Sequence, residues 1–434
     1  MLQRTPHDRA VFRLALPALA TLIAEPLYIL TDTAIVGRIG TDQLAGLALA
    51  SAVILSGYAL FFFLAYGTTA SVARLLGEAR PTDAARQAIQ GLWLALGLGL
   101  VVAALTAVAG PALLYGLGGR GAVLTNAEVY LRYSLAGFPA ILASLSAVGY
   151  LRGRQNTATP LKVAVGTALL NLVIEAVAIF GFCQGIAASA TATVIAQWCG
   201  ALIFIRAIAR STRGLGVAWK PDVPIMRSLL IVGVHLAIRT AALRGTLLLG
   251  TAVAAHFGRS ELAAYEVAFE IWSFLALALD ALAIAAQALV ARALGAGDAA
   301  TAWAIGKRVN ELGVLVGTAL GLGVLLLRWP LAGLFSADPA VVSLAAFSLI
   351  FVAVAQPLNG WVFALDGVLI SAGDQRYLAR AMPVAFAVFA ISALPVWYFN
   401  GGLGWLWVAL ILFMATRLAL LQSRFVKRAW LVIS

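Results

Sequence analysis

Glu25, Asp32 and Glu175 are carboxylates set inside long apolar runs of the chain. A carboxylate in hydrocarbon is costly as an anion, so it must meet a cation, sit in a solvated cavity or take up a proton. No Lys or Arg of the first half lies deep enough in its runs to neutralise these three. Reversible protonation is therefore the chemistry to which they are suited. The alternative for Asp32 and Glu175 is a structural carboxyl hydrogen-bonded to a neighbouring helix, and for Glu25 a simple bond across helices. Tyr28 precedes Asp32 by one helical turn and Asn171 precedes Glu175 by the same step, so each pair shares a helix face. Counting at about 1.5 Å per residue puts Asp32 and Glu175 within a turn of the same depth, and Thr193 reaches a similar level on the next run. Tyr58, Phe61, Phe62, Phe63 and Tyr66 follow on the second run. Aromatic faces beside a carboxylate suit a flat organic cation, through stacking and cation–π attraction. Two or three of the five at most can face one cavity, and Tyr58 and Phe62 are taken as lining it; the rest are packing or lipid-facing residues.

The second half differs in its charge. It holds Arg239 and Arg244 with Glu266, Glu270, Asp280 and Asp366, and His235 nearer one end. Arg244 and Glu270 fall at comparable depth, while Arg239 is placed to meet Asp280 or Asp366. Such pairs more often hold helices together than move ions. The two arginines would also repel Na⁺, which favours H⁺ as the coupling ion and leaves Na⁺ at Glu270 or Asp366 as the alternative. Three His scattered at 7, 235 and 256, with no zinc-spaced Cys or His, no phosphate loop and no GxSxG, argue against a metal site and a hydrolase nucleophile. No cofactor is expected, and without a nucleotide-binding domain any transport draws on an ion gradient.

The elements that must position these residues are membrane helices. Of 434 residues, 62% are apolar and 11% are charged, with a mean hydropathy of +0.97; a water-soluble domain cannot hide so much apolar surface. Twelve runs approach the roughly 20 apolar residues that a 30 Å hydrocarbon layer requires. They cover 12–36, 47–72, 89–114, 129–150, 161–182 and 185–205, then 228–255, 262–289, 312–327, 341–370, 378–399 and 403–421. The alternating segments of a β-barrel are not seen. The first run carries Glu25 and Asp32 and lacks a small-residue cleavage site, so it reads as a retained helix. Cys183 and Cys199 fall toward opposite faces, which makes a disulfide improbable. The net charge of +12 is a topology signal and not a nucleic-acid surface. Only Arg38, Arg120, Arg132, Arg259 and Arg328 lie at one face, whereas the great majority of the 30 Lys and Arg residues, Arg417 among them, fall at the other. The positive-inside rule places both termini in the cytoplasm of an inner (plasma) membrane protein, and a monomer is expected.

The halves repeat. Thr251 follows Thr33, Gly258 follows Gly40, Arg292 follows Arg74, Gly295 follows Gly77 and Gly367 follows Gly149, all at an interval of 218 residues. Six helices is an even number, so both halves enter the membrane in the same direction and form a parallel repeat about the membrane normal. The expected fold is therefore all-α and integral to the membrane, with twelve helices in two pseudo-symmetric six-helix bundles. The lobes would be 1–206 and 228–434, joined by a cytoplasmic linker, 207–227, rich in Arg, Lys and Pro. Two tethered bundles can rock about a central cavity, which gives alternating access.

Glu25-Pro26-Leu27-Tyr28 followed by Asp32-Thr33-Ala34-Ile35-Val36-Gly37, with Leu151-Arg152-Gly153 and Ser371-Ala372-Gly373-Asp374 at the ends of the fourth and tenth runs, resembles the multidrug and toxic compound extrusion (MATE) transporters, DNA-damage-inducible branch. The resemblance covers the whole chain. It implies a two-lobed, twelve-helix exporter of amphiphilic or cationic small molecules in exchange for H⁺ or Na⁺. It also implies that Asp32, Tyr28, Asn171, Glu175 and Thr193 match the polar residues lining the first-lobe cavity, with Glu175 standing where an Asp is more familiar. Pro26 removes a backbone hydrogen bond shortly before Asp32, so the first helix either bends with protonation or carries a fixed kink. A lipid-linked oligosaccharide flippase of the same superfamily, and an intramembrane enzyme using paired carboxylates, are the rival readings.

Overall fold

The computed structural model describes residues 5–432 except residue 183, and of Ala59 the backbone alone. Among the described residues, twelve helices are long and apolar enough to cross a membrane. In chain order they are α1 Pro6–Val36, α2 Thr41–Gly77, α3 Pro81–Gly116, α4 Gly121–Gly153, α5 Ala158–Gly181 and α6 Ile186–Ser211, then α7 Val223–Phe257, α8 Arg259–Gly295, α9 Ala299–Phe335, α10 Pro339–Ser371, α11 Gln375–Tyr398 and α12 Gly402–Val426. Most of them outrun their apolar stretch. α9 has 37 residues where hydropathy marks only 312–327, because the helix continues through Lys307, Arg308 and Asn310 beyond the hydrocarbon layer. Asp298 caps its start by accepting the Thr301 backbone N–H at 2.9 Å. That bond and the Thr301 side chain hold the Asp298 carboxyl below the usual carboxylate range. Cys183 lies outside the described residues, so its proposed packing is not addressed; Cys199 is a free thiol.

The repeat is carried by packing as well as by residue identity. Within the first six helices α3 packs on α4, α2 on α3 and α4, α4 on α6 and α5 on α6; within the last six, α9 packs on α10, α8 on α9 and α10, α10 on α12 and α11 on α12. The same close approach recurs in both. A Cβ on Gly149 would come within 2.5 Å of the Ala65 carbonyl oxygen, and a Cβ on Gly367 within 2.6 Å of that of Ala283. Both glycines and both carbonyls are 218 residues apart. Only glycine lets these backbones touch, which is how membrane helices gain packing energy where no hydrophobic driving force separates them from lipid.

The chain forms two compact units, one comprising Ala20–Gly233 and the other the described residues up to Leu19 and from Val234 onward. α1 and α7 thus each begin in one unit and end in the other. In the unit that contains Val234 onward, the first turn of α1 is fixed by Asp8, which accepts two bonds from Arg308 at 2.7 and 2.8 Å. Arg308 also reaches Glu311 at 2.8 Å. In the Ala20–Gly233 unit the segment after α6 lies against α3. The Gln90 side-chain amide donates to the Lys220 carbonyl at 2.8 Å and accepts the Asp222 N–H at 2.7 Å, and Trp93 donates to the Trp219 carbonyl at 3.0 Å.

Helical regularity is also unequal. α2 is interrupted by a 3₁₀ turn at Leu60–Phe62, α4 by another at Leu135–Gly137, and α5 ends in a π turn at Val177–Gly181. Their counterparts α8, α10 and α11 run through without such turns. Breaks of this kind mark hinges or functional positions, and here they fall in the half that holds the three unneutralised carboxylates.

Candidate functional site

Within the Ala20–Gly233 unit, a cavity of about 340 Å³ is bounded by α1, α2, α4, α5 and α6. α1 contributes Glu25, Tyr28 and Asp32, spaced so that all three fall on one face. α2 adds Tyr58 and Phe62 at its 3₁₀ break, α4 adds Tyr130, and α6 adds Thr193. Phe61, Phe63 and Tyr66 are not among the lining residues; Phe63 is buried and would overlap any side chain at Gly233. A smaller space of about 250 Å³ continues past Tyr28 and Thr193 to Asn171.

The polar groups are connected. Tyr28 Oη and Thr193 Oγ1 are 2.9 Å apart, and Asn171 donates its side-chain N–H to the same threonine oxygen at 3.1 Å. Ser189 donates its hydroxyl to Asp32 Oδ1 at 3.1 Å. Tyr58 donates to Glu25 Oε1 at 2.5 Å, and its ring lies edge-on to Phe62 with centroids 5.9 Å apart. Asp32 is 6% exposed and reaches the cavity, whereas Glu175 is fully buried and lines neither space. Glu175 faces Asp32 and Ser189. Neither of its oxygens has a hydrogen-bond partner among the described residues. Among the described residues, Asp32, Glu25 and Glu175 form no ion pair.

Two residues escaped the sequence reading: Tyr130, which lines the cavity, and Ser189, which is buried behind it on Asp32. Ser189 lies in a run of small residues, Ala187-Ala188-Ser189-Ala190, where a hydroxyl looks like packing. Tyr130 stands at the edge of its apolar run, 129–150, and so reads as interfacial; the helix begins at Gly121, which carries Tyr130 into the cavity wall.

The second half has no counterpart to this site. At the interval of 218 residues, Asp32 corresponds to Gly250, Asn171 to Phe389 and Glu175 to Ala393. The space is occupied by aromatic rings: a Cβ on Gly250 would collide with the Tyr265 hydroxyl and touch the Phe389 ring at 3.8 Å. Tyr265 packs in turn on Phe269 and Trp407, with centroids 6.1 and 5.5 Å away. Its charged residues are arranged elsewhere. Asp366 accepts Arg239 Nη2 at 2.7 Å and Arg417 Nη2 at 2.5 Å. Arg417, grouped above with the cytoplasmic charges, is 4% exposed and belongs to this buried cluster, because its guanidinium turns inward to Asp366. Arg244 and Glu270 are both exposed and form no ion pair with each other among the described residues. Among the described residues no group of three or more His, Cys, Asp or Glu is placed to hold a metal ion.

The MatE family pattern matches the chain twice, over residues 17–177 and 236–396. The protein DETOXIFICATION 44 of Arabidopsis thaliana is 32% identical over 425 residues, covering 94% of this chain and 80% of that protein. The DNA damage-inducible protein F of Escherichia coli is 29% identical, covering 95% of this chain and 91% of its own length. A solved structure described as the outward-facing conformation of a multidrug resistance MATE family transporter superposes with a TM-score of 0.88 at 20% identity, over 96% of each chain. With twelve membrane helices, a doubled six-helix pattern and a family match to each half, this chain belongs to the MatE family of membrane transporters.

Proposed function

We propose that this transporter exports amphiphilic, cationic organic molecules in exchange for protons, and that the exchange takes place at Asp32. The observation that carries the reading is a buried carboxyl on a cavity wall, backed by a second carboxyl and unopposed by any ion-pair partner among the described residues. As an anion, Asp32 attracts a cation into a cavity whose walls also offer Glu25 and the rings of Tyr28, Tyr58, Phe62 and Tyr130. When a proton binds, that attraction is lost and the cation leaves. Two carboxyls in an apolar site cannot both stay ionised at low cost, so Asp32 and Glu175 act together, with Ser189 between them as a hydroxyl that can donate to whichever oxygen is charged. Tyr28, Thr193 and Asn171 fix the α1, α5 and α6 faces around the site, Glu25 with Tyr58 offers a second acidic point toward the middle of α1, and Phe62 offers a ring for stacking.

The access change is alternation between two six-helix lobes, 1–206 and 228–434, about the repeat axis, in a plasma (inner) membrane protein with both termini cytoplasmic, working as a monomer. Coupling to Na⁺ is the competing reading at the level of the ion. Oxygen ligands from Asp32, Thr193 and Asn171 suit that cation too, whereas the absence of a basic cavity wall disfavours an anionic pyrophosphate lipid. The test is purified protein in liposomes with proton and sodium gradients imposed separately. Export of a fluorescent organic cation should follow the proton gradient and be lost in Asp32→Asn, with the thermal unfolding midpoint retained. Wild-type pH-driven export by Asp32→Asn would overturn the assignment.

A further inference from the structure

A second depression, of about 820 Å³, opens on the flank of the Ala20–Gly233 unit between the end of α3, the first half of α4 and the start of α6. It shares no lining residue with the cavity around Asp32. Thr106 and Pro111 line it from α3, and Thr125, Glu128, Arg132 and Leu135 from α4. Glu128 and Arg132 are one helical turn apart and both exposed, and neither forms an ion pair among the described residues.

Its depth follows from the ends of the apolar runs. The apolar run that crosses the roughly 30 Å hydrocarbon layer ends at 114 on α3, two residues before Gly116, and resumes at 129 on α4, eight residues after Gly121, so Glu128 lies at the hydrocarbon boundary. Pro111 and Thr106 lie roughly 8 and 15 Å from that end of α3, and Glu128 and Arg132 roughly 10 and 16 Å from the start of α4. The depression therefore straddles the boundary of headgroup and hydrocarbon. Tyr133, 50% exposed, and Tyr115, whose ring carries the Arg120 guanidinium at 3.6 Å, sit at the level where interfacial aromatics collect. Leu105 and Val108 are 64% and 85% exposed on the same stretch of α3, giving acyl chains an apolar wall to run along.

We infer that this depression binds a phospholipid whose headgroup carries both a phosphate and a primary ammonium, with the phosphate on Arg132 and the ammonium on Glu128. The charge pattern selects that class. A guanidinium alone at this depth would take any phospholipid phosphate; the carboxylate one turn away penalises an anionic headgroup and accepts N–H donors from an ammonium. A trimethylated ammonium offers no such donors. The inference is independent of where the transported proton binds.

Native mass spectrometry of the full chain, stripped of lipid in detergent and titrated with phosphatidylethanolamine, phosphatidylglycerol, phosphatidylcholine or inorganic phosphate, tests it. The ethanolamine lipid should be retained about tenfold more tightly than the other two lipids, the loss of one charge-assisted contact setting that scale. Glu128→Gln should abolish the preference, weakening retention of phosphatidylethanolamine and strengthening that of phosphatidylglycerol. Arg132→Ala should weaken all three lipids and Arg132→Lys should restore them, each variant unfolding at the wild-type temperature. Equal retention of all three lipids by the wild type, unchanged retention in both variants, or displacement of lipid by inorganic phosphate would each overturn the assignment.

Discussion

Asp32 and Glu175 occupy different positions relative to solvent, and their substitutions should differ accordingly. Asp32 touches the cavity, so it meets both proton and substrate; Glu175 is fully buried behind it and lines no cavity. Glu175→Gln keeps the volume and adds an N–H donor toward Asp32, which stabilises the Asp32 anion by about 1.5–3 kcal/mol. Proton uptake at Asp32 then needs a lower pH, and the pH at half-maximal export in liposomes should shift downward with the maximal rate largely kept. A pH profile superimposable on that of the wild type would remove Glu175 from the exchange. The residues that make up this site were legible in the sequence where helical spacing and depth could be counted: Tyr28 before Asp32, Asn171 before Glu175, Thr193 on the next helix. Ser189 and Tyr130 were not. Tyr130 falls at the edge of its apolar run, 129–150, where a tyrosine gives no sign of facing a cavity, and a serine among alanines gives no signal until its partner is known. Arg417 was grouped with the cytoplasmic charges because it stands four residues from the end of its run, 403–421, although it is buried on Asp366.

Among the elements, the glycine contacts give the clearest forecast because each half is the control for the other. Gly149→Val and Gly367→Val each force a side chain onto a backbone carbonyl that cannot move aside. Each should cost more than about 2 kcal/mol, at the upper end of overpacking, and their shifts in unfolding temperature should match. A large shift in one and none in the other would mean that the packing of α2 on α4 and of α8 on α10 is not equivalent. The segment between α6 and α7 supplies a second case. Its Pro, Gly and basic residues read as a loose tether, but a sequence scan along one chain cannot see that Gln90, 130 residues away from Lys220, grips it from α3. Gln90→Ala removes both bonds, so chymotrypsin should cut after Trp219 several-fold faster than in the wild type. Equal cleavage rates would show that the segment is held by something other than the Gln90 amide.

Across the whole molecule, one ancestral six-helix pattern has diverged into two halves that keep the same helix packing and differ in what fills it. The first half leaves a cavity and places acids on its wall, using 3₁₀ and π turns in the helices around it. The second closes the corresponding space with Tyr265, Phe389 and Trp407 and neutralises Asp366 with Arg239 and Arg417. The repeat itself was readable from residue intervals, since Gly and Arg matches survive where backbones touch. This divergence of contents was only partly readable, because a carboxylate and its arginines come from α7, α10 and α12 and meet only after folding. If the division of labour holds, Asp366→Asn should harm the fold and spare the coupling. Removing the anion takes the carboxylate from the buried Arg417 guanidinium and from the partly buried Arg239, a loss of about 3–5 kcal/mol for a broken buried pair, seen as a lower unfolding temperature and a lower yield of folded protein. The molecules that do fold and reach the liposome should still move the same number of protons per substrate as the wild type, because the Asp32 site is untouched. A stable Asp366→Asn protein with an altered proton-to-substrate ratio, or one whose export switches to the sodium gradient, would relocate ion exchange to the second half.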